Sequence, residues 1–169
     1  MSAMAGRWRQ RPSLPVVILS VVVVALAVGT GVLFFQWQSA QATVTARSAA
    51  VTAAEQKVPT LLSYSYTSFG SDLAQAEADT TAQFRGTYGN LMTGQIEQAA
   101  KQDKVVTQAT VSGTSVISAR PGSATLLMFL SQQTKTSAKQ ESVLNDTAVQ
   151  VVMRQVNGTW LVDDLLPRN

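Results

Sequence analysis

Hydrophobic and polar positions divide the chain into a long apolar run, a segment of small residues, helical patterns and finally strand patterns. The run from Leu14 to Phe35 contains no charged residue. At a helical rise of about 1.5 Å per residue this run would be about 33 Å long, which matches a bilayer hydrocarbon core of about 30 Å. The pattern therefore predicts a transmembrane helix over residues 14–36.

Charged residues beside this run predict its orientation. Arg7, Arg9 and Arg11 precede the run, and positive residues remain on the cytoplasmic side of a membrane helix. We therefore expect residues 1–13 to form the cytoplasmic basic tail of a single-pass protein of the cell membrane. Everything after the helix would then lie outside the cytoplasm.

Two further patterns near this run concern a partner helix and processing. Small residues recur at four-residue spacing and would let a second helix pack closely, which predicts a helix–helix contact at Ala25, Ala27, Gly29 and Gly31. An A-x-A pattern at residues 40–42 resembles a signal-peptidase site. Cleavage near Ala42 is therefore an alternative to a retained anchor, although signal peptides have shorter apolar runs of roughly 7–15 residues.

The remaining patterns indicate a stalk and one folded domain. Residues 37–58 are rich in alanine, threonine and serine, which predicts a helical stalk that Pro59 ends or kinks. In residues 59–169 helical patterns come first and four sequential strand patterns follow, among them a continuous apolar run at 124–131 that predicts a strand buried on both faces. This order is typical of an extracytoplasmic α+β domain with helices packed on one face of a mostly antiparallel, four-stranded sheet.

The last two strand patterns flank Asn157 and Gly158, a pair that is the strongest short signal for a hairpin. A type I′ turn needs positive φ at both of its central residues, and these two residue types adopt it most readily. This turn would pair Val151 with Asp164. Alternation along both strands then predicts one core face, made of Val149, Val151, Met153, Trp160 and Val162.

The composition restricts the chemistry that the chain can perform. It contains no cysteine and no histidine, which excludes disulfides, zinc sites built on these residues and catalytic triads that use imidazole. The net charge of +3 comes from the residues before the apolar run, because ten basic and ten acidic residues balance from Gln36 onward. Without a basic stripe, nucleic-acid binding has no electrostatic basis. The sequence thus predicts no metal, no cofactor and no nucleic-acid partner.

Two carboxylate arrangements bear on an enzymatic role. Asp72 with Tyr64 or Tyr66 would resemble a base with a tyrosine oxyanion donor, but Asp72 also suits the start of a helix. Asp163 and Asp164 are adjacent in a strand and would point to opposite faces, with Asp163 diagonal to an arginine, Arg154. We therefore expect no catalytic residues and no enzymatic activity.

Several motifs, taken in order, resemble one known family. After the basic terminus, apolar run and alanine-rich stalk come LLSYSY (61–66), Asp72-Leu73, TAQFRGTY (81–88), an apolar strand and V-x-M-x-x-V-N-G-x-W-L-V-D-D-L (151–165). In this order the chain, from Arg7 onward, resembles the Mce-associated membrane proteins of actinobacteria. That family's fold is similar to the cystatin-like cone shared with nuclear transport factor 2 and with periplasmic domains of type IV secretion assembly proteins. The resemblance thus implies helices packed on a curved sheet.

What the resemblance implies about function is an accessory role in lipid transport. Such a chain would stabilise or scaffold a mammalian-cell-entry (Mce) system for sterols or fatty acids, with the transporter subunits or the permease as partners. One alternative is an assembly factor of a type IV secretion-like or conjugation machine.

A second alternative is a lipid-binding carrier domain. Cone folds often enclose a cavity between the sheet and the helices, and an apolar cavity with a few polar groups suits a lipid. Aromatic and sulfur-containing side chains that would line such a pocket, or else fill the core, are Tyr64, Tyr66, Phe84, Tyr88, Met128 and Trp160.

Overall fold

The computed structural model describes residues 41–168, except for the side chains of residues 139 and 140. The predicted cytoplasmic tail with Arg7, Arg9 and Arg11, the predicted membrane helix and its small residues all lie outside the described residues. In the described part of the chain no helix is long and apolar enough to span a bilayer.

Four helices and five strands make up the described chain. Helix α1 occupies residues 41–62 and precedes a two-residue strand, β1 (Tyr64–Ser65). The next helices are α2 (Phe69–Ala78) and α3 (Ala82–Leu91), and a π-helical turn, Met92–Ile96, connects α3 to α4 (Glu97–Asp103). Four long strands follow: β2 (Val106–Arg120), β3 (Ser123–Thr136), β4 (Lys139–Val156) and β5 (Thr159–Arg168).

The strands form one antiparallel sheet in the order β1-β2-β3-β4-β5. The α+β class is therefore confirmed, whereas the prediction of four strands is wrong by one. The additional strand is β1, which pairs only Tyr64 with Thr107 and Ser65 with Val106. A strand of two residues has no periodicity, so the sequence pattern could not reveal it.

The hydrophobic core lies between the helices and one face of the sheet. Buried and half-buried positions alternate along most of β3, as expected for a strand with one covered face. Phe129 points to the other face and is 48% exposed, so the expectation of a strand buried on both faces is wrong. The fully buried side chains of the sheet include Leu126, Met128, Leu130, Val151, Met153 and Val162.

Helix α1 belongs to this core rather than to a free stalk. It continues past Pro59 to residue 62, and the compact unit begins at Ala42. The expected boundary at residue 59 therefore falls inside a helix. Small residues at helical spacing let α1 approach the sheet closely, and its buried positions are Ala46, Ala50, Ala54, Val58 and Leu61.

The β4–β5 hairpin has the predicted turn. Asn157 has φ +50° and Gly158 has φ +83°, as a type I′ turn requires. Every residue of the predicted core face is buried. The predicted pairing of Val151 with Asp164 is wrong by one residue, because Asp163 is an extra, bulged residue and Val151 pairs with Leu165 instead.

Substitution of two glycines by alanine should change stability in opposite directions. Gly158→Ala places a side chain at positive φ, which should cost about 1 kcal/mol. Gly86→Ala in α3 meets no atom within 4 Å and should gain about 0.5–1 kcal/mol from helix propensity. Denaturant unfolding of the purified chain followed by circular dichroism measures both. If both variants shifted the denaturant midpoint of unfolding equally and in the same direction, the turn geometry would be contradicted.

Candidate functional site

The six side chains that the sequence offered as a candidate pocket differ in burial. Tyr88, Met128 and Trp160 are buried in the core, and Tyr64 and Phe84 pack against it. Tyr66 is half-buried in the turn after β1. The structure thus buries three of the six side chains in the core and packs two more against it.

Tyr88 connects helix α3 to the end of α1. Its hydroxyl donates a hydrogen bond of 2.7 Å to the backbone carbonyl of Leu61. Burial raises the pKa of Tyr88, and the negative charge of Glu77 and the proximity of Tyr64 raise it further. The hydroxyl is therefore protonated and fixed at physiological pH, which suits a structural donor.

Removal of this hydroxyl should weaken the docking of α1. Tyr88→Phe leaves the Leu61 carbonyl without its buried donor and should lower the free energy of unfolding by about 1–2 kcal/mol. Tyr66→Phe is the matched control, because no described group bonds the Tyr66 hydroxyl, and it should change stability by less than about 0.5 kcal/mol. Thermal or urea unfolding compares the two variants; equal losses would show that the Tyr88 hydroxyl has no special role.

Asp72 and Tyr64 share a surface groove of about 470 Å³, whose other lining residues include Ser63, Gln75 and Thr107. One carboxylate oxygen of Asp72 accepts hydrogen bonds from the Ser65 amide at 2.9 Å and from the Ser68 hydroxyl at 2.8 Å. Asp72 therefore fixes the turn between β1 and α2 and places a negative charge in the first turn of the helix. This arrangement supports the helix-start interpretation of Asp72.

A second polar cluster, here called the β5 cluster, consists of Lys57, Asp79, Thr80, Thr81, Arg154 and the Val162–Asp163 segment. Its centre is an exchange of backbone hydrogen bonds between the α2–α3 connection and β5. The Thr81 amide donates to the Val162 carbonyl, and the Val162 amide donates to the Asp79 carbonyl, both at 2.9 Å. These bonds form a parallel bridge between Thr80 and Val162. Because Thr80 and Val162 are fully buried, water cannot replace these bonds.

Charged side chains surround this bridge. Arg154 donates to one carboxylate oxygen of Asp163 from Nε at 3.0 Å and from Nη2 at 2.7 Å, and the Thr81 hydroxyl donates to the other oxygen at 2.8 Å. The Arg154 hydrogen bond holds the pKa of Asp163 below its ordinary value, and the Thr81 bond acts in the same direction. An ion pair between Lys57 and Asp79 joins α1 to the same cluster.

The sequence pattern predicted only part of the β5 cluster. The diagonal contact between Arg154 and Asp163 is confirmed. Thr81 was missed as its third member because it lies 82 residues away from Asp163. The sequence offered only a local signal at this position, a threonine directly before a helical pattern, which is typical of an N-cap. Thr81 does cap α3, because its side chain accepts a hydrogen bond from the Phe84 amide.

The β5 cluster predicts a specific acid sensitivity. The folded-state pKa of Asp163 lies below the unfolded value, so its stabilising effect is present above about pH 4 and is lost as the pH falls further. Asp163→Asn and Arg154→Gln should both flatten the fall in unfolding free energy between roughly pH 4 and pH 2. Urea unfolding at a series of pH values measures this slope. An unchanged slope in Asp163→Asn would contradict the assigned ion pair.

Two sequence relatives of the chain come from Mycobacterium tuberculosis. No protein-family model matches it. It is 30% identical over 164 residues to Uncharacterized protein Rv1362c of Mycobacterium tuberculosis (strain ATCC 25618 / H37Rv), across 95% of this chain and 74% of that protein. It is also 29% identical over 143 residues to Outer membrane protein Rv1973 of the same organism, across 85% of this chain and 89% of that protein.

Solved structures with a similar fold include two type IV secretion system proteins and one periplasmic domain. An IcmL-like type IV secretion system protein from Legionella pneumophila gives a TM-score of 0.60 at 12% identity, over 70% of this chain and 90% of that chain. CagV, a VirB8 homolog from Helicobacter pylori, gives a TM-score of 0.59 at 18% identity, over 72% of this chain and 98% of that chain. The periplasmic domain of DotI gives a TM-score of 0.58 at 15% identity, over 72% of this chain and 94% of that chain. The expected likeness of the fold to periplasmic secretion domains is confirmed.

Proposed function

We propose that this chain, which belongs to the same family as Uncharacterized protein Rv1362c of Mycobacterium tuberculosis, forms a non-catalytic α+β module. This module assembles with other proteins of the cell envelope. The observation that carries this proposal is the fold, which DotI and CagV also have. A relative named as an outer membrane protein supports an envelope location. In this proposal residues 14–36 anchor the domain, which lies outside the cytoplasm.

The state of the interior supports an assembly role over a carrier or an enzyme. Of the side chains that would line a lipid pocket, Tyr88, Met128 and Trp160 are buried in the core, and the Tyr88 hydroxyl donates a hydrogen bond to the Leu61 carbonyl. The carboxylates of Asp72 and Asp163 accept hydrogen bonds from neighbouring groups of the same chain. Binding of other proteins at the surface uses neither a cavity nor a free catalytic group.

The outer face of the sheet offers apolar surface for such binding. Phe129 is 48% exposed and Leu166 is 43% exposed on this face, and half-buried Leu127 and Val152 lie beside them. The register places these residues in neighbouring rows of the sheet, because Phe129 pairs with Ala148 and Gln150 pairs with both Leu127 and Leu166. Exposed apolar groups that adjoin one another are typical of protein interaction sites.

Two kinds of envelope complex are candidates. The structural neighbours favour a machine related to type IV secretion, in which this chain would be an assembly factor. The order of sequence motifs favours an Mce-type transporter of sterols or fatty acids, in which the chain would scaffold the transporter subunits or permease. The two candidates share the same non-catalytic, protein-binding role and differ in the partner.

Affinity purification of the tagged full-length chain from its own membranes tests the role and the partner together. Recovery of Mce subunits or their permease would identify the transporter, and recovery of secretion subunits would identify the other machine. Phe129→Glu should lower partner recovery about tenfold, whereas Thr87→Glu at an exposed position of α3 should leave it unchanged. Recovery of the chain without any envelope protein would contradict the proposed function.

A further inference from the structure

The outer edge of β2 is open along most of its length. Strand β1 pairs only with Val106 and Thr107, and the Ser63 hydroxyl accepts from the Ala109 amide at 2.9 Å. From Thr110 to Arg120 no described strand pairs with this side of β2. The backbone donors and acceptors there have the geometry that adds another strand.

The register identifies the residues that present these groups. The Ala109 amide points away from β3, and alternate residues of an antiparallel strand direct their backbone groups to the same side. Val111 therefore shares the open side with Ala109. Beyond the bulge between Val111 and Gly113, the register returns Thr114 and Val116 to that side.

The β2 edge carries two bulges but lacks the charged residues and proline that protect the β5 edge of the same sheet. Natural edge strands are usually blocked by charged residues, proline or a covering segment. The open side of β5 has Asp164 and Pro167 and is covered at Val162 by the Thr80 bridge. The stretch from Val106 to Ala119 contains neither a charged residue nor proline. The contrast indicates that another strand covers β2 when the protein is assembled.

A groove beside the open edge indicates the chemistry of that strand. The groove has a volume of about 510 Å³ between α1 and β2, and its walls include Val44, Arg47 and Val51 from α1 and residues 114–116 from β2. Val44 is 64% exposed, and Arg47 is also exposed. Among the described residues no carboxylate lies within ion-pair distance of Arg47. The groove thus offers apolar surface and one unpaired cation.

We propose that the open edge of β2 binds an extended segment of a partner protein as an additional strand. The segment pairs its backbone with Val111, Thr114 and Val116 and places an acidic side chain against Arg47. A second copy of this chain fits less well, because β2 contains no carboxylate to meet Arg47. The inference rests on the proposed function, since the segment belongs to a subunit of the same envelope complex.

Synthetic peptides test this assignment on the full-length chain in detergent micelles. The probe is a peptide of about nine residues that alternates threonine and valine around a central glutamate, and its counterparts carry lysine at the centre or N-methyl groups on alternate amides. The glutamate peptide should bind about three- to fivefold more tightly than the lysine peptide and should slow hydrogen exchange at Val111, Thr114 and Val116. N-methylation should abolish binding.

Charge reversal in the groove provides the matched variants. Arg47→Glu should invert the preference in favour of the lysine peptide, whereas Arg47→Lys should keep the preference for glutamate. The inverted preference is a gain of binding, so it cannot result from misfolding.

The inference would be overturned if the peptides gave no protection from hydrogen exchange at β2, or if the glutamate and lysine peptides bound equally well. It would also be overturned if protection rose with protein concentration in the absence of peptide, because a second copy of the chain would then be the occupant. If the tagged chain still recovers envelope subunits while the peptides fail, the edge assignment is wrong and the assembly role stands.

Discussion

The exchange of backbone hydrogen bonds between Val162 and the Asp79–Thr81 segment holds the helices against the sheet. It attaches the α2–α3 connection to the last strand of the chain, at a site where the participating groups are buried and water cannot compete. The bulge at Asp163 adjoins this exchange, and the Asp163 carboxylate bonds both Thr81 and Arg154. The Lys57–Asp79 ion pair extends the same connection to helix α1.

This connection explains why the interior is packed and the surface is available. Once helices and sheet are held in register, the alanines of α1 approach the sheet and the aromatic side chains fill the remaining space. The surfaces available for binding are then the face and the edges of the sheet that the helices do not cover. The open edge of β2 and the exposed Phe129 on the outer face are two such places, and both suit protein partners better than a small substrate.

The sequence predicted the features of the fold that depend on residues close together in the chain. The turn at Asn157 and Gly158 and the buried face of the hairpin follow from positive φ and from alternation, so they could be read directly. The bulge at Asp163 could not be predicted, because alternation along a strand gives no sign of an extra residue, and the Thr81 that bonds Asp163 lies 82 residues away. Strand β1 is too short for a pattern, and Pro59 lies near the end of a helix that tertiary packing extends beyond it. Tyr88, Met128 and Trp160, which the sequence offered as pocket-lining or core-filling residues, are buried in the core, and their packing depends on contacts between helices and sheet that no local pattern shows.

Native-state hydrogen exchange at the Val162 and Thr81 amides tests the central role of this connection most directly. If the bridge holds the helices against the sheet, both amides exchange only through global unfolding, with the same opening free energy as core amides of β3 such as that of Met128. Exchange of either amide at the rate of exposed loops, while the Met128 amide stays protected, would show that the helices are not held by this bridge.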